Sequence, residues 1–214
     1  FIRDRYGAFY KLSIIMILFI QTFRFAAEPF YFAQEREKNS KKIYADVMKY
    51  FVIVLSIIFL IVTTFYDFFI KFLGSNYHDD RGFIVVSILL LANFFLGIYY
   101  NLSIWFKLTE KTIYGAYIAI FGALITLAGN YILIPIIGFI GCAIATLACY
   151  FLMTVVSLYL CNTHYPIPYN YKRLSTYFLF MICIFFILYY TNFALIFNFL
   201  FIISYVAFVY YFER

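Results

Sequence analysis

The chain has 214 residues, of which 66% are apolar, 25% aromatic and only 12% charged, with a formal charge of +6 and a mean hydropathy of +0.93. Soluble domains are about half apolar and about a quarter charged, and disorder needs few aromatics and much charge, so both are excluded. Four cysteines are also too sparse for a small disulfide scaffold.

What remains is an all-α integral membrane protein, a polytopic bundle of about seven transmembrane helices. Each crossing needs roughly 20 mostly apolar residues, which leaves short loops and no soluble domain. The predicted spans are 9–33, 47–70, 83–106, 114–136, 138–160, 174–190 and 193–212. Runs such as FVIVLSIIFLIV (51–62) do not alternate apolar with polar residues, so they are helices and not barrel strands. Arg3, Arg5 and Lys11 before an apolar run resemble a signal peptide, but the helix continues into Arg24 and Glu28 with no convincing cleavage site.

The first span carries the most chemistry. Residues 11–33 read KLSIIMILFIQTFRFAAEPFYFA. Offsets of three and seven put Gln21, Arg24 and Glu28 on one helix face. An ionised side chain near the bilayer middle costs several kcal/mol or more, so Arg24 should face a partner or a watery cavity. Pro29 removes a backbone donor where this polar face lies. In one reading Arg24 and Glu28 pair at i, i+4 and lock helix packing. In the other, Arg24 faces a central cavity and binds an anion, because a guanidinium fork matches phosphate oxygens. Glu28 then tunes Arg24 or carries a coupling cation.

The remaining polar groups read mostly as packing devices. Asn93, Asn101 and Asn198 lie within spans and suit interhelical hydrogen bonds. Gly115, Ala119, Gly122, Thr126 and Gly129 form a small-residue stripe that Asn130 ends. Pro135–Gly138 makes a tight turn, and Gly138, Gly141, Ala145 and Ala148 continue the stripe on the next span. Such stripes let helices approach closely. His78-Asp79-Asp80-Arg81 reads as a solvated turn, and His164 has no evident partner. Cys142, Cys149, Cys161 and Cys183 lack CxxC spacing and read as small apolar residues. The sequence contains no G-x-x-x-x-G-K-[ST], G-x-S-x-G or H-E-x-x-H, so neither an enzyme nor a metal site is expected.

Loops alternate sides of the membrane. One side collects nine basic residues: Arg36, Lys38, Lys41, Lys42, Lys107, Lys111, Lys172, Arg173 and Arg214. The other collects five: Arg3, Arg5, Lys11, Lys71 and Arg81. Basic loops stay cytoplasmic, so the first span should start outside and the C terminus lie in the cytoplasm. The positive charge thus reads as orientation among membrane lipids, and no nucleic-acid partner is expected. Trp105, Tyr99, Tyr100, Tyr189, Tyr190, Tyr210 and Tyr211 fit interfacial belts.

Four segments carry a resemblance: YGAFYKL (6–12), QTFRFAAEPFYF (21–32), NLSIWFKLTEKTIYGA (101–116) and NYILIPIIGFIGCAIATL (130–147). Together they resemble the polysaccharide-biosynthesis branch of the multidrug/oligosaccharidyl-lipid/polysaccharide exporters, the Wzx-type flippases. The resemblance covers residues 6 to about 160 and implies one lobe of a MATE-like transporter. Residues 1–160 would form the core of the C-terminal lobe and 161–214 two further helices. The chain opens on Phe, which fits a fragment lacking its N-terminal lobe. The resemblance also implies a cargo, a polyprenyl-diphosphate-linked oligosaccharide, flipped across the bacterial cytoplasmic (inner) membrane by alternating access. The product would be capsule, O-antigen of lipopolysaccharide, or exopolysaccharide. Arg24 and, less firmly, Gln21 and Glu28 would bind substrate, and Na+ or H+ would be the coupling ion, with no other cofactor. The alternatives are a cation-coupled multidrug antiporter of the same superfamily and an O-antigen polymerase-like membrane enzyme.

Overall fold

The computed structural model describes residues 2–73, 80–191 and 195–214, with side chains over 7, 9–71, 81–190 and 199–214. Every regular element among these residues is an α-helix: α1 (Ile2–Gln34), α2 (Ser40–Thr64), α3 (Tyr66–Leu73), α4 (Asp80–Leu102), α5 (Ile104–Leu108), α6 (Ile113–Ile137), α7 (Phe139–His164), α8 (Tyr171–Thr191) and α9 (Leu195–Glu213). Six stretches among the described residues are long and apolar enough to cross a membrane: Phe9–Gln34, Ser40–Thr64, Arg81–Leu108, Ile113–Ile137, Phe139–His164 and Tyr171–Tyr190. The last expected span, 193–212, corresponds to α9, whose described apolar part, Phe199–Glu213, is shorter. The protein is therefore an all-α, multi-pass membrane protein. The expected turn at His78-Asp79 and the side chains of Asp80 and Asn198 lie outside the described residues.

Two expected spans are interrupted. The second breaks at Phe65, between α2 and α3. Thr63 Oγ1 donates back to the carbonyls of Phe59 at 2.8 Å and Leu60 at 3.2 Å, a bond that competes with the helix ladder and bends it. The third breaks at Ser103, whose Oγ donates to the Tyr100 carbonyl at 2.7 Å. The short α5 that follows begins at Ile104 and carries Lys107.

The centre of the bundle is α4, which packs on α7, α1 and α2. Of its most apolar stretch, 67% is buried within protein, against 6% for α6. α6 packs chiefly on α7 at one flank, and α8 and α9 cover α2 at the other. Lipid tails are as apolar as leucine, so contact and hydrogen bonds, not water exclusion, hold such helices together. The bonds are specific. Asn93 Nδ2 donates to the Ser13 carbonyl at 3.2 Å, tying α4 to α1. Thr154 Oγ1 donates to the Phe95 carbonyl at 2.8 Å, tying α7 to α4. Tyr44 OH donates to the Tyr31 carbonyl at 2.8 Å, tying α2 to α1. Each such bond contributes about 0.6 kcal/mol on average in a membrane.

The α6–α7 seam is built on absent side chains. Gly129 lies against Ala145, Gly122 against Met153 and Cys149, and Gly141 against the Leu133 backbone. Gly115 faces Phe106 of α5 and not α7. Gly138 joins the two helices at φ 64, ψ −138, a backbone region essentially reserved for glycine. Pro135 is exposed inside α6, and Asn130 Oδ1 is buried there without a hydrogen-bond partner.

Two aromatic assignments need correction. Trp105 and Tyr99 are buried among protein atoms and are not part of an interfacial belt. The Trp105 indole stacks on His164, with ring centroids 5.4 Å apart, and Tyr114 OH lies 3.3 Å from His164 Nε2. His164 thus has a partner on each of α5 and α6. The exposed Tyr189, Tyr190, Tyr210 and Tyr211 keep the character expected of span-end tyrosines.

Candidate functional site

The C-terminal half of α1 lines a cleft shared with α2, α4 and α5. Ile20, Phe23, Arg24, Ala27, Glu28 and Tyr31 supply the α1 wall, as a spacing of three and four residues requires of one helix face. Phe51 of α2, Tyr100 and Asn101 of α4, and Ile104 and Lys107 of α5 complete it. The space between atoms is about 290 Å3, part of it open to the outside. Its enclosed part has room for about one water molecule.

The polar groups converge on one carboxylate oxygen. Glu28 Oε1 accepts from Lys107 Nζ at 2.5 Å. Arg24 Nε lies 3.4 Å from the same oxygen. That contact is an ion pair without hydrogen-bond geometry, and Arg24 Nε has no hydrogen-bond partner. The guanidinium carbon also stands 4.8 Å from the centroid of the Tyr100 ring, a cation–π distance. All three charged side chains keep about a third of their surface exposed (32%, 34% and 32% for Arg24, Glu28 and Lys107).

Asn101 forms the cleft's neutral edge. Tyr31 OH donates to Asn101 Oδ1 at 2.5 Å. That bond leaves Asn101 Nδ2 buried with no partner, on a residue only 4% exposed. An unpaired buried donor of this kind costs about 1–3 kcal/mol. The cleft thus holds donors on Arg24 and Lys107 and a single carboxylate between them. Two cations against one anion leave one net positive charge.

Of the expected site residues, Arg24 and Glu28 meet here. Gln21 does not line the cleft and is half-buried one turn nearer the N terminus. Lys107 and Asn101 were missed as site residues. Lys107 counted only toward loop charge, and Asn101 only as a packing amide. Both lie within the NLSIWFK stretch, but six residues apart across the Ser103 break, which no regular helix face would join.

A second charged cluster ties down the C-terminal helix. Glu213 accepts from Lys49 at 2.6 Å, from Tyr177 OH at 2.5 Å and from Arg173 at 3.4 Å. It joins α9 to α2 and α8. Lys49 also lies 3.8 Å from Asp46, whose side chain is mostly exposed. Beyond it, the 165–170 connection tucks Ile167 and Tyr169 into protein, and burial pushes the Tyr169 phenol well above its ordinary range.

Comparison with protein-family models, with curated proteins and with solved structures finds no match to this chain.

Proposed function

We propose that the protein is a transporter and not an enzyme, and that its cleft holds the diphosphate of a lipid-linked oligosaccharide during passage across the bacterial cytoplasmic membrane. The reading combines the sequence resemblance to Wzx-type flippases with the cleft. One observation carries it: two cations, Arg24 and Lys107, converge on a single carboxylate of a membrane-crossing helix. Arg24 stands ten residues before the end of α1, or about 15 Å along the axis, roughly half a bilayer deep. Burying a phosphate charge in lipid is prohibitive. Guanidinium and ammonium donors replace the lost water, and Arg24 can do so with two parallel bonds.

The enclosed part of the cleft holds about one water, so in this proposal the helices move apart to admit the diphosphate and the sugar. The cytoplasmic C terminus and a role in surface polysaccharide assembly also belong to this proposal. Substituting Arg24→Ala tests the reading. Export of lipid-linked oligosaccharide to the outer leaflet should fall at least tenfold, with membrane insertion unchanged. Unchanged export in an inserted Arg24→Ala protein would overturn it.

A further inference from the structure

We propose that the corner where α8 begins, beside α2 and the end of α9, binds an anionic phospholipid of the surrounding bilayer. Its headgroup phosphate sits on Lys172 and Arg173, and an acyl chain follows the outer face of α8. The inference concerns a resident lipid and is independent of the cleft and of any cargo.

Three helices bring the charges together. Glu213 of α9 accepts from Lys49 of α2 at 2.6 Å and from Arg173 Nη1 of α8 at 3.4 Å. Lys49 is only 15% exposed, so it contributes charge and not reach. Arg173 keeps 41% of its side chain exposed, and a guanidinium fork has donors beyond the one that Glu213 engages. Lys172 is exposed and has no ion pair among the described residues. Three cations against two carboxylates, Asp46 and Glu213, leave one positive charge at the corner, before the exposed Arg214 is counted. A phosphatidylglycerol headgroup carries one negative charge. A zwitterionic headgroup brings a cation of its own, which this corner repels.

The neighbouring aromatics put the corner at headgroup level. Lys49 Nζ stands 4.6 Å from the Tyr50 ring centroid, and the Arg173 guanidinium carbon 5.8 Å from that of Phe212. Both rings are exposed, as are Tyr210 and Tyr211. Outward-facing aromatic rings and basic side chains share the membrane–water interface.

An apolar track leads away from Lys172. Leu179 and Phe186 follow it at offsets of seven and fourteen, on one helix face, and both are exposed. They lie about 10 and 21 Å from it along the axis, enough to accompany a chain through one leaflet, half of a core about 30 Å thick. Arg36 and Lys38, in the connection between α1 and α2, instead alternate with Glu35 and Glu37, which cancel them.

The test counts bound lipids. The full chain is reconstituted in nanodiscs of phosphatidylcholine and phosphatidylglycerol in equal parts and transferred to neutral detergent. Retained lipids are identified by mass spectrometry of the intact complexes. Wild type should keep phosphatidylglycerol in preference. One basic residue near an anionic lipid surface strengthens attachment roughly fivefold, so Lys172→Gln should cut the preference by about that factor. Because Lys172 makes no ion pair, this variant leaves the Glu213 cluster intact. Lys172→Gln with Arg173→Gln should abolish the preference, whereas Arg36→Gln with Lys38→Gln, which removes as much charge, should leave it in place. Equal retention of the two lipids by wild type, no change in Lys172→Gln, or an equal loss in the Arg36 and Lys38 pair would overturn the site. Inorganic phosphate should displace the lipid no better than sodium chloride of equal ionic strength. Better displacement would assign the corner to a soluble anion and overturn the lipid reading.

Discussion

Adding one methyl group at three glycines of the α6–α7 seam should give three different outcomes, ranked by what each methyl meets. At Gly141 a Cβ would sit 2.8 Å from both the carbonyl carbon and the oxygen of Leu133. Comfortable carbon contacts are about 3.5–4.0 Å, so α6 and α7 must separate by roughly 0.7 Å or more, and backbone has no rotamer to escape into. Overpacking of this kind costs about 1–3 kcal/mol, against a helix-propensity gain for Gly→Ala of at most about 1 kcal/mol. Gly141→Ala should therefore lose about 1–2 kcal/mol. At Gly129 the obstacle is the Ala145 Cβ at 2.9 Å, with the Ala145 backbone at 3.4 Å, so the loss should be smaller. At Gly122 the nearest atom is the Met153 sulfur at 2.5 Å, and methionine is flexible enough to swing aside. That variant should fall within about 0.5 kcal/mol of wild type. Reversible unfolding in mixed micelles with rising SDS gives the three values directly. Equal losses at Gly141 and Gly122, or no loss at Gly141, would refute the claim that backbone proximity sets the spacing of this seam.

Further outcomes can be checked by the same unfolding assay. Glu213→Ala removes the partner of a Lys49 side chain that is only 15% exposed; loss of one member of a part-buried pair should cost roughly 1–3 kcal/mol, and Lys49→Met combined with Glu213→Ala should recover much of it. Glu110 and Gly138 are opposite cases at φ 58 and φ 64: Glu110→Gly should stabilise by about 0.5–1 kcal/mol, while Gly138→Ala should destabilise by about 1–3 kcal/mol despite open space around its Cβ.

Much of the architecture was legible because lipid imposes so few solutions. Uninterrupted apolar runs have to become helices, and the spans at 114–136 and 138–160 correspond closely to α6 and α7. The breaks at Phe65 and Ser103 were harder to see, since Thr63 and Ser103 act through bonds to their own helix that hydropathy does not register. Arg24 and Glu28 stood out as charges within a span. Their third partner did not, because Lys107 looks like any basic loop residue until α5 places it on Glu28. Trp105 misled for a related reason. An aromatic residue at a span end suits the head-group region equally well, and only the tertiary contact with His164 shows it turned inward.

The Glu213 cluster has a bearing on how the chain is made. Lys49 and its carboxylate partner are separated by 164 positions, so at about 5–20 residues per second the ammonium waits roughly 10–30 s at the ribosome for its counter-charge. Until then its neighbour is the mostly exposed Asp46. Arrival of α9 completes the charge balance on α2, so a nascent chain that stalls before Glu213 leaves Lys49 paired only with Asp46 at the protein surface.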